Sequence, residues 1–111
     1  MKVYKDYHEV VPSEEAPGVK MYVVAGPNEG VPNFVMRVFE IAPGASTPFH
    51  SHPWEHEVYV VSGTGTARSE QEDIQIGQGT AAYVEPGSKH CFSNTGKETL
   101  RFVCVIPLPK K

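Results

Sequence analysis

The turn-forming residues of this chain leave room only for short segments of regular structure. Ten glycines and ten prolines are spread along 111 residues, and both residue types interrupt helices and strands. Between them lie eight segments rich in β-branched and aromatic residues, each ending at a Gly, Pro or Asn turn signal. No helical period separates these segments, so the sequence predicts a closed or sandwiched antiparallel β-structure. The segments are 21–24, 33–41, 57–61, 64–68, 73–76, 80–84, 90–93 and 99–106.

The length and composition fit one compact domain. With 40% hydrophobic and 21% charged residues, a chain of 111 residues can bury a single core. We expect one domain over residues 1–111, with the β-structure running from about residue 19 to residue 106. Residues 6–18 contain two prolines and a glycine and are expected to form an irregular lead-in.

Charge and hydropathy argue against several classes of partner. The net charge is −3 and no cluster of Lys or Arg is present, whereas binding of nucleic-acid phosphates needs several cations on one face. No apolar run reaches the roughly 18 residues of a membrane span, and the first eight residues lack the apolar stretch of a signal peptide. We therefore expect a cytoplasmic protein without nucleic-acid or membrane partners, in which Cys91 and Cys104 are free thiols.

Four of the five histidines lie in two short stretches. His50 and His52 are two residues apart, His56 follows, and His90 begins a predicted strand. Side chains at i and i+2 of an extended segment project from the same face, roughly 6.6–6.8 Å apart along the backbone. Two such imidazoles can converge on one divalent ion, whose ligand nitrogens lie about 2.0–2.2 Å away. The histidines therefore predict a metal site, whereas His8 has no spaced partner and is expected at the surface.

The spacing around the first three histidines resembles the first motif of the cupin family, G-x5-H-x-H-x(3,4)-E-x6-G. In this chain the stretch has histidine where the motif has glutamate. The matching residues are Gly44, His50, His52, His56 and Gly63.

The stretch around the fourth histidine resembles the second cupin motif, G-x5-P-x-G-x2-H-x3-N. Only the proline departs from the pattern, because Pro86 lies one residue later than the motif places it. The resemblance implies an all-β double-stranded β-helix, the cupin or jelly-roll barrel, in which both motifs deliver ligands to one metal ion inside the barrel. The residues in register are Gly79, Gly87, His90 and Asn94.

The fourth ligand can be His56 or Glu57, since the first motif allows three or four residues before this position. The motif places six residues before its glycine, and counting back from Gly63 leads to His56. Strand alternation favours the same residue, because His56 shares the aliphatic face of its strand with Val58 and Val60. His56 is therefore the preferred ligand, and Glu57 is expected outside the barrel as a carboxylate that could orient an imidazole.

A site of four histidines looks like the small four-histidine manganese cupins known from thermophilic bacteria. The likeness extends to residues 32–37 and 102–107. It implies a homodimer and one divalent ion, manganese or iron, for oxygenase or peroxide-driven chemistry on small, largely apolar substrates. Four neutral imidazoles leave the ion its full double charge, so the site should accept anionic ligands or peroxide readily. Imidazole also suits zinc, copper and nickel, so sequence alone does not name the ion.

Strand alternation also predicts the neighbours of the metal. An inward His90 places Phe92 on the same face, and an outward Arg101 leaves Phe102 and Cys104 facing in. Cys104 could equally be a small buried hydrophobe, and the aromatic residues could belong to the core or the rim. The candidates for the substrate pocket are Phe49, Phe92, Phe102, Cys104 and Arg37.

Arg37 lies on one face of its predicted strand and Glu40 on the other, so one charge must point each way. An inward Arg37 could bind an anionic substrate, and an outward one could form an ion pair at a dimer interface. Val103 and Val105, together with residues 21–24, would form an exposed apolar surface that a two-fold homodimer could bury.

Three functions fit these observations, and no residue is assigned a catalytic role. The preferred interpretation is an enzyme, a manganese- or iron-dependent oxidoreductase of the dioxygenase kind that acts on a small molecule. The second is a metal-dependent isomerase or lyase that acts on a small oxygenated molecule and would need a general base such as Tyr83, Glu57 or Cys104. The third is a non-catalytic cupin that binds a small molecule or a metal.

Overall fold

The computed structural model describes residues 1–109, which form two antiparallel β-sheets and two short 3-10 helices. The helices are Tyr7–Glu9 and Pro27–Glu29. No helix of this part of the chain is long and apolar enough to cross a membrane. The strands are β1 (Ser13–Ala16), β2 (Val19–Ala25), β3 (Phe34–Ile41), β4 (His56–Ser62), β5 (Thr64–Ser69), β6 (Asp73–Gly77), β7 (Ala81–Val84), β8 (His90–Ser93) and β9 (Leu100–Pro107).

The larger sheet has the strand order β1-β2-β3-β9-β4-β7, and the smaller one has the order β6-β5-β8. The last strand, β9, therefore lies between β3 and β4, and its neighbours in the sheet are not its neighbours in the chain. This arrangement is the double-stranded β-helix, or jelly roll, that the eight segments and the two motifs predicted, and the fold class is confirmed.

The core lies on the inner faces of the strands, as their alternation requires. In β9, Leu100, Phe102, Cys104 and Ile106 are buried, whereas the residues between them are partly exposed. In β4, His56, Val58 and Val60 are buried and the intervening residues are largely exposed. The inner face of β4 therefore carries a histidine among aliphatic side chains, which places His56 inside the barrel.

The lead-in is more regular than the sequence indicated. Ser13–Ala16 pairs with β2 as an edge strand, and the Asp6 side chain caps the 3-10 helix before it. The expectation of an irregular segment was wrong because residues 13–16, Ser-Glu-Glu-Ala, have low intrinsic strand preference. Pairing with a neighbouring strand overrides such a preference.

The outer face of β3 binds this lead-in through Glu40. Its carboxylate accepts hydrogen bonds from the hydroxyl of Tyr7 and, at 3.2 Å, from that of Tyr22. His8 Nε2 lies 2.8 Å and Arg101 Nη2 3.5 Å from the same carboxylate. We call these five residues the Glu40 cluster.

Steric constraints explain why the first motif ends in a glycine. Gly63 connects β4 to β5 with a φ of 86°, a left-handed conformation that side chains disfavour. A Cβ atom at this position would lie 2.5 Å from the carbonyl oxygen of Thr99. Only glycine therefore allows β9 to approach the turn closely, which supports the register that carries His56 inward.

Candidate metal centre

The imidazoles of the four predicted ligands face one another around one cavity. His50 and His52 come from the loop between β3 and β4, whereas His56 begins β4 and His90 begins β8. Their ring centroids form a closed circuit, with separations of 4.4 Å for 50–52, 5.4 Å for 52–56, 4.9 Å for 56–90 and 5.6 Å for 50–90. The fold thus brings the two motifs together at one point.

Backbone pairing between the two motifs holds the histidines in place. The amide of His50 donates to the carbonyl oxygen of His90 at 3.1 Å, and the amide of His90 donates to that of His50 at 2.9 Å. The amide of Gly87 donates to the carbonyl oxygen of His52 at 2.7 Å. This short antiparallel pairing positions residues that are 40 positions apart in the sequence as neighbours.

Two of the rings are oriented by backbone carbonyl groups. His50 Nδ1 lies 2.6 Å from the oxygen of Pro48, and His90 Nδ1 lies 2.9 Å from that of Ser88. In each neutral ring Nδ1 then carries the proton and Nε2 keeps its lone pair, the state that metal coordination requires. His52 is held differently, because its ring stacks on Trp54 at 4.6 Å with an angle of 8°.

The donor set fits one divalent ion, although the side chains as they stand do not form a coordination sphere. Within residues 1–109, no group of three or more His, Cys, Asp or Glu side chains is already placed to hold a metal ion. His50 Nε2 and His52 Nε2 lie 2.7 Å apart, at hydrogen-bonding distance. Two nitrogens bound to one ion at about 2.1 Å and a right angle would lie about 3.0 Å apart, so a small ring rotation suffices. His56 Nδ1 is buried without a hydrogen-bond partner.

The environment favours the neutral form of three of these imidazoles. Burial lowers the pKa of His56 to about 4, and electrostatic repulsion from protonated His90 and from Arg37 would act in the same direction. Burial also lowers the pKa of His52 and of His90. Metal binding needs unprotonated imidazole, so near pH 7 no proton has to be removed from these three rings before an ion binds.

The four histidines form one side of a cavity of about 290 Å³. Three aromatic rings form apolar walls, from Phe39, Phe92 and Phe102. Arg37 and Cys104 also line it, so four of the five residues expected in a substrate pocket are there. Sequence reasoning missed Phe39, which shares a strand face with Arg37, and Glu15, which comes from the unpredicted β1. Alternation along β3 could have identified Phe39, whereas no sequence signal indicated Glu15.

Phe49 is the exception among the pocket candidates. It does not line the cavity, its side chain is 45% exposed, and Lys89 Nζ lies 5.2 Å from its ring centroid. The expectation was wrong because Phe49 precedes His50 in an extended segment, and an inward imidazole turns its neighbour outward.

Two of the suggested general bases also lie outside the cavity. Glu57 and Tyr83 are directly opposite each other on β4 and β7, and both point to the exposed outer face of the sheet. Neither reaches the imidazoles, so the suggested role of Glu57 in orienting a ring is wrong. The carbonyl oxygens of Pro48 and Ser88 do this instead. Cys104 does line the cavity, and burial raises the pKa of its thiol.

The orientation of Arg37, which the sequence left open, is inward. Its Nη2 lies 2.9 Å from Cys104 Sγ, its Nη1 lies 3.5 Å from Met21 Sδ, and its Cζ lies 5.1 Å from the ring centroid of Phe39. Its Nε is buried without a partner. The outward charge of β3 is Glu40, in the Glu40 cluster. Of the two alternatives, the structure therefore has the one in which Arg37 faces the cavity.

The family model described as the cupin domain matches residues 37–106 of the chain. The chain belongs to the cupin domain family, in agreement with the two motifs and the barrel. The match includes all four histidines, Arg37 and Cys104.

Two proteins with different names have sequences similar to this chain. An oxalate-binding protein of Thermotoga maritima is 33% identical over 70 residues, which cover 62% of this chain and 58% of that protein. The tetracenomycin polyketide synthase protein TcmJ of Streptomyces glaucescens is 26% identical over 98 residues, or 87% of this chain and 66% of that protein. The chain therefore spans less than two thirds of either relative.

A solved structure with the same fold is that of the polyketide cyclase RemF from Streptomyces resistomycificus. It superimposes with a TM-score of 0.88 at 28% sequence identity, covering 98% of this chain and 81% of RemF. The likeness thus extends over nearly the whole chain, including the lead-in.

Proposed function

We propose that this cupin is a metal-dependent enzyme in which His50, His52, His56 and His90 bind one divalent ion, manganese or iron. The observation that carries the proposal is the circuit of four rings around one cavity, two of them oriented through Nδ1 by backbone carbonyls. The unpartnered Nδ1 of His56 and the low pKa of that residue support it. A purely structural cluster would satisfy its buried nitrogens with protein partners.

We further propose an oxygenase or peroxide-using oxidoreductase that acts on a small, largely apolar molecule. The ion, when bound, would supply Lewis acidity and open coordination positions. The phenylalanine walls would bind the apolar part of the substrate and exclude water. Among residues that line the cavity, the one carboxylate is Glu15, which is exposed at the surface. The shortage of free bases favours chemistry at the ion over proton abstraction by a side chain.

A redox-neutral cyclase or isomerase is the second candidate. The likeness to the polyketide cyclase RemF, at 28% identity over nearly the whole chain, favours it. Oxygen uptake separates the two candidates. An oxygenase consumes oxygen with its substrate only when the ion is bound, whereas a cyclase or isomerase turns over under argon.

Metal binding is tested by comparing two adjacent substitutions. His56→Ala should weaken affinity for Mn²⁺ or Fe²⁺ by more than about 100-fold, because it removes a direct ligand, and even an orienting partner is typically worth about 10 to 100-fold. Glu57→Ala, on the outer face, should leave the affinity unchanged and is the matched control. Metal content after purification and a competition titration measure both. If Glu57→Ala strips the metal and His56→Ala retains it, the four-histidine site is wrong.

We also propose a two-fold homodimer that buries the outer face of β4, β7 and β9. Tyr59 and Tyr83 are 54% and 57% exposed there, and Val103 and Val105 line the same shallow groove. Residues 21–24 contribute less than expected, since Met21 and Val23 pack against the core. An exposed apolar patch of this kind on a small barrel indicates an interface with a second copy.

The assembly is tested by light scattering at micromolar concentration. The wild-type chain should have the mass of a dimer, and Tyr59→Lys should shift it to the monomer because a charge would be buried without a partner. Val11→Lys, at a position 90% exposed and away from this face, is the control. A wild-type monomer would contradict the proposal.

A further inference from the structure

Within the described residues 1–109, Arg37 has no anionic partner. The ion pairs within residues 1–109 join His8 to Asp6 and Glu40, and Arg101 to Glu40. The acceptors of its two amino groups are both sulfur atoms, and its Nε is buried without any partner. A sulfur atom is a weak acceptor, whereas a guanidinium group offers five donors in a rigid fork. The donors of Arg37 are therefore largely unused.

This arrangement leaves donors of Arg37 unpaired. The residue is only partly buried, but its Nε is buried without a partner, whereas buried donors are normally paired. The strand β3 points the side chain into the barrel, beside Cys104 and the ring of Phe39. The cavity therefore has a cationic, donor-rich position that the protein leaves open.

The surroundings of Arg37 define the shape of what can bind there. Phe39 and Phe102 stack with ring centroids 5.0 Å apart and an angle of 11°, and both rings belong to the lining of the cavity. The imidazoles line another part of the same cavity, whose volume of about 290 Å³ suits one small molecule. A small molecule with an apolar body and an oxyanion at one end would complement both the aromatic lining and the guanidinium group of Arg37.

We propose that the substrate of this cavity is a small carboxylate with an apolar body, and that Arg37 binds its carboxylate. The inference deepens the proposed function and rests on it, because it takes the cavity beside the histidines as the substrate site. Glu15 is the one other charged side chain of the cavity besides the histidines and Arg37. It is exposed and forms no ion pair with Arg37, so it does not occupy the position that the ligand would take.

The test compares benzoate with benzamide, a neutral molecule of nearly the same shape, by calorimetric titration of the full chain with and without bound metal. We expect benzoate to bind about tenfold more tightly than benzamide, the preference that one charge-assisted pair provides. Arg37→Gln should abolish this preference by weakening benzoate alone. Arg37→Lys keeps the charge but loses the fork and should retain part of it. Arg68→Gln, at an exposed arginine of β5, should leave it intact.

Several results would overturn the inference. Equal binding of the two probes by the wild-type chain would do so without any variant, as would a benzoate preference that survives Arg37→Gln. If the preference for benzoate disappears when the metal is removed, the benzoate carboxylate binds to the metal ion and not to Arg37. That result would support the proposed metal site and contradict the proposed role of Arg37. Conversely, a chain that binds no metal but prefers benzoate through Arg37 would support the inference and contradict the proposed function. If circular dichroism shows that Arg37→Gln is unfolded, the inference is tested by the preference of the wild-type chain for benzoate over benzamide and by the reduction of that preference in Arg37→Lys.

Discussion

The charged residues on the two faces of β3 differ in the contacts that surround them. On the outer face, Glu40 is contacted by two tyrosine hydroxyls, a histidine and an arginine. On the inner face, Arg37 is contacted by two sulfur atoms and an aromatic ring. Glu40 binds Tyr7 and His8 and so attaches the lead-in to the barrel. The inner charge has no opposite charge beside it within residues 1–109, and the proposed role of Arg37 in binding a ligand rests on this difference.

The electrostatics of the Glu40 cluster reflect that use. Burial alone would raise the pKa of Glu40, but hydrogen bonds from Tyr7, His8 and Tyr22 outweigh it and lower the pKa below its usual value. Burial and the hydrogen bond to Glu40 raise the pKa of Tyr7 to about 12. The ionised carboxylate and the neutral phenol thus stabilise each other near pH 7.

The largest difference between the two faces should appear in folding stability. Glu40→Ala should lower the free energy of unfolding by about 2–3 kcal/mol, because it leaves several donors without their shared acceptor. Arg37→Gln should change it by less than about 1 kcal/mol, since few favourable contacts are lost. Urea denaturation of both variants measures this, with Glu14→Ala on the exposed edge strand as the control. A larger loss from Arg37→Gln than from Glu40→Ala would reverse our assignment of the two charges.

A smaller effect is expected in the pH dependence of folding stability, and it arises from His56 on the cavity side of the sheet. The pKa of His56 is lowered from 6.5 to about 4 in the folded chain. The unfolded chain therefore binds more protons between these values, and stability should decrease as the pH falls from 6.5 towards 4. We expect about 1–2 kcal/mol from this residue in metal-stripped protein, measured by urea denaturation across that range. In His56→Gln this part of the pH dependence should disappear; an unchanged slope would show that His56 does not resist protonation.

The smallest effect is expected from His8 on the outer face. Its contribution to folding stability should change with pH in the direction opposite to that of His56. Hydrogen bonds with Asp6 and Glu40 raise the pKa of His8 above 6.5. Its contribution to stability is therefore present below pH 6.5 and is lost as the pH rises through the folded-state pKa. The stability difference between the wild-type chain and His8→Gln should be greatest below pH 6.5 and shrink in alkali. Thermal melting in low salt measures it, and a difference that grows with pH would contradict the assignment.

Much of the candidate site could be predicted from local sequence patterns. The eight strands, the inward faces of β4, β8 and β9, and the choice of His56 over Glu57 as the inward residue follow from a repeat of two and from turn signals. Phe49 was misplaced because alternation was not applied to it, although it directly precedes the inward His50. The residues beyond these patterns, Glu15 and the whole of β1, could not be predicted, because their sequence carries no strand preference.

Sequence alone determined the class of fold and the set of imidazoles, because alternation and motif spacing are local properties of the backbone. Only the tertiary structure decided which charge of β3 faces the cavity. Alternation requires Arg37 and Glu40 to point in opposite directions but is satisfied by either choice. The choice depends on partners far away in the chain: Tyr7, His8 and Arg101 gather around Glu40, and Cys104 lies beside Arg37. Their convergence is a property of the folded barrel, which no single segment contains.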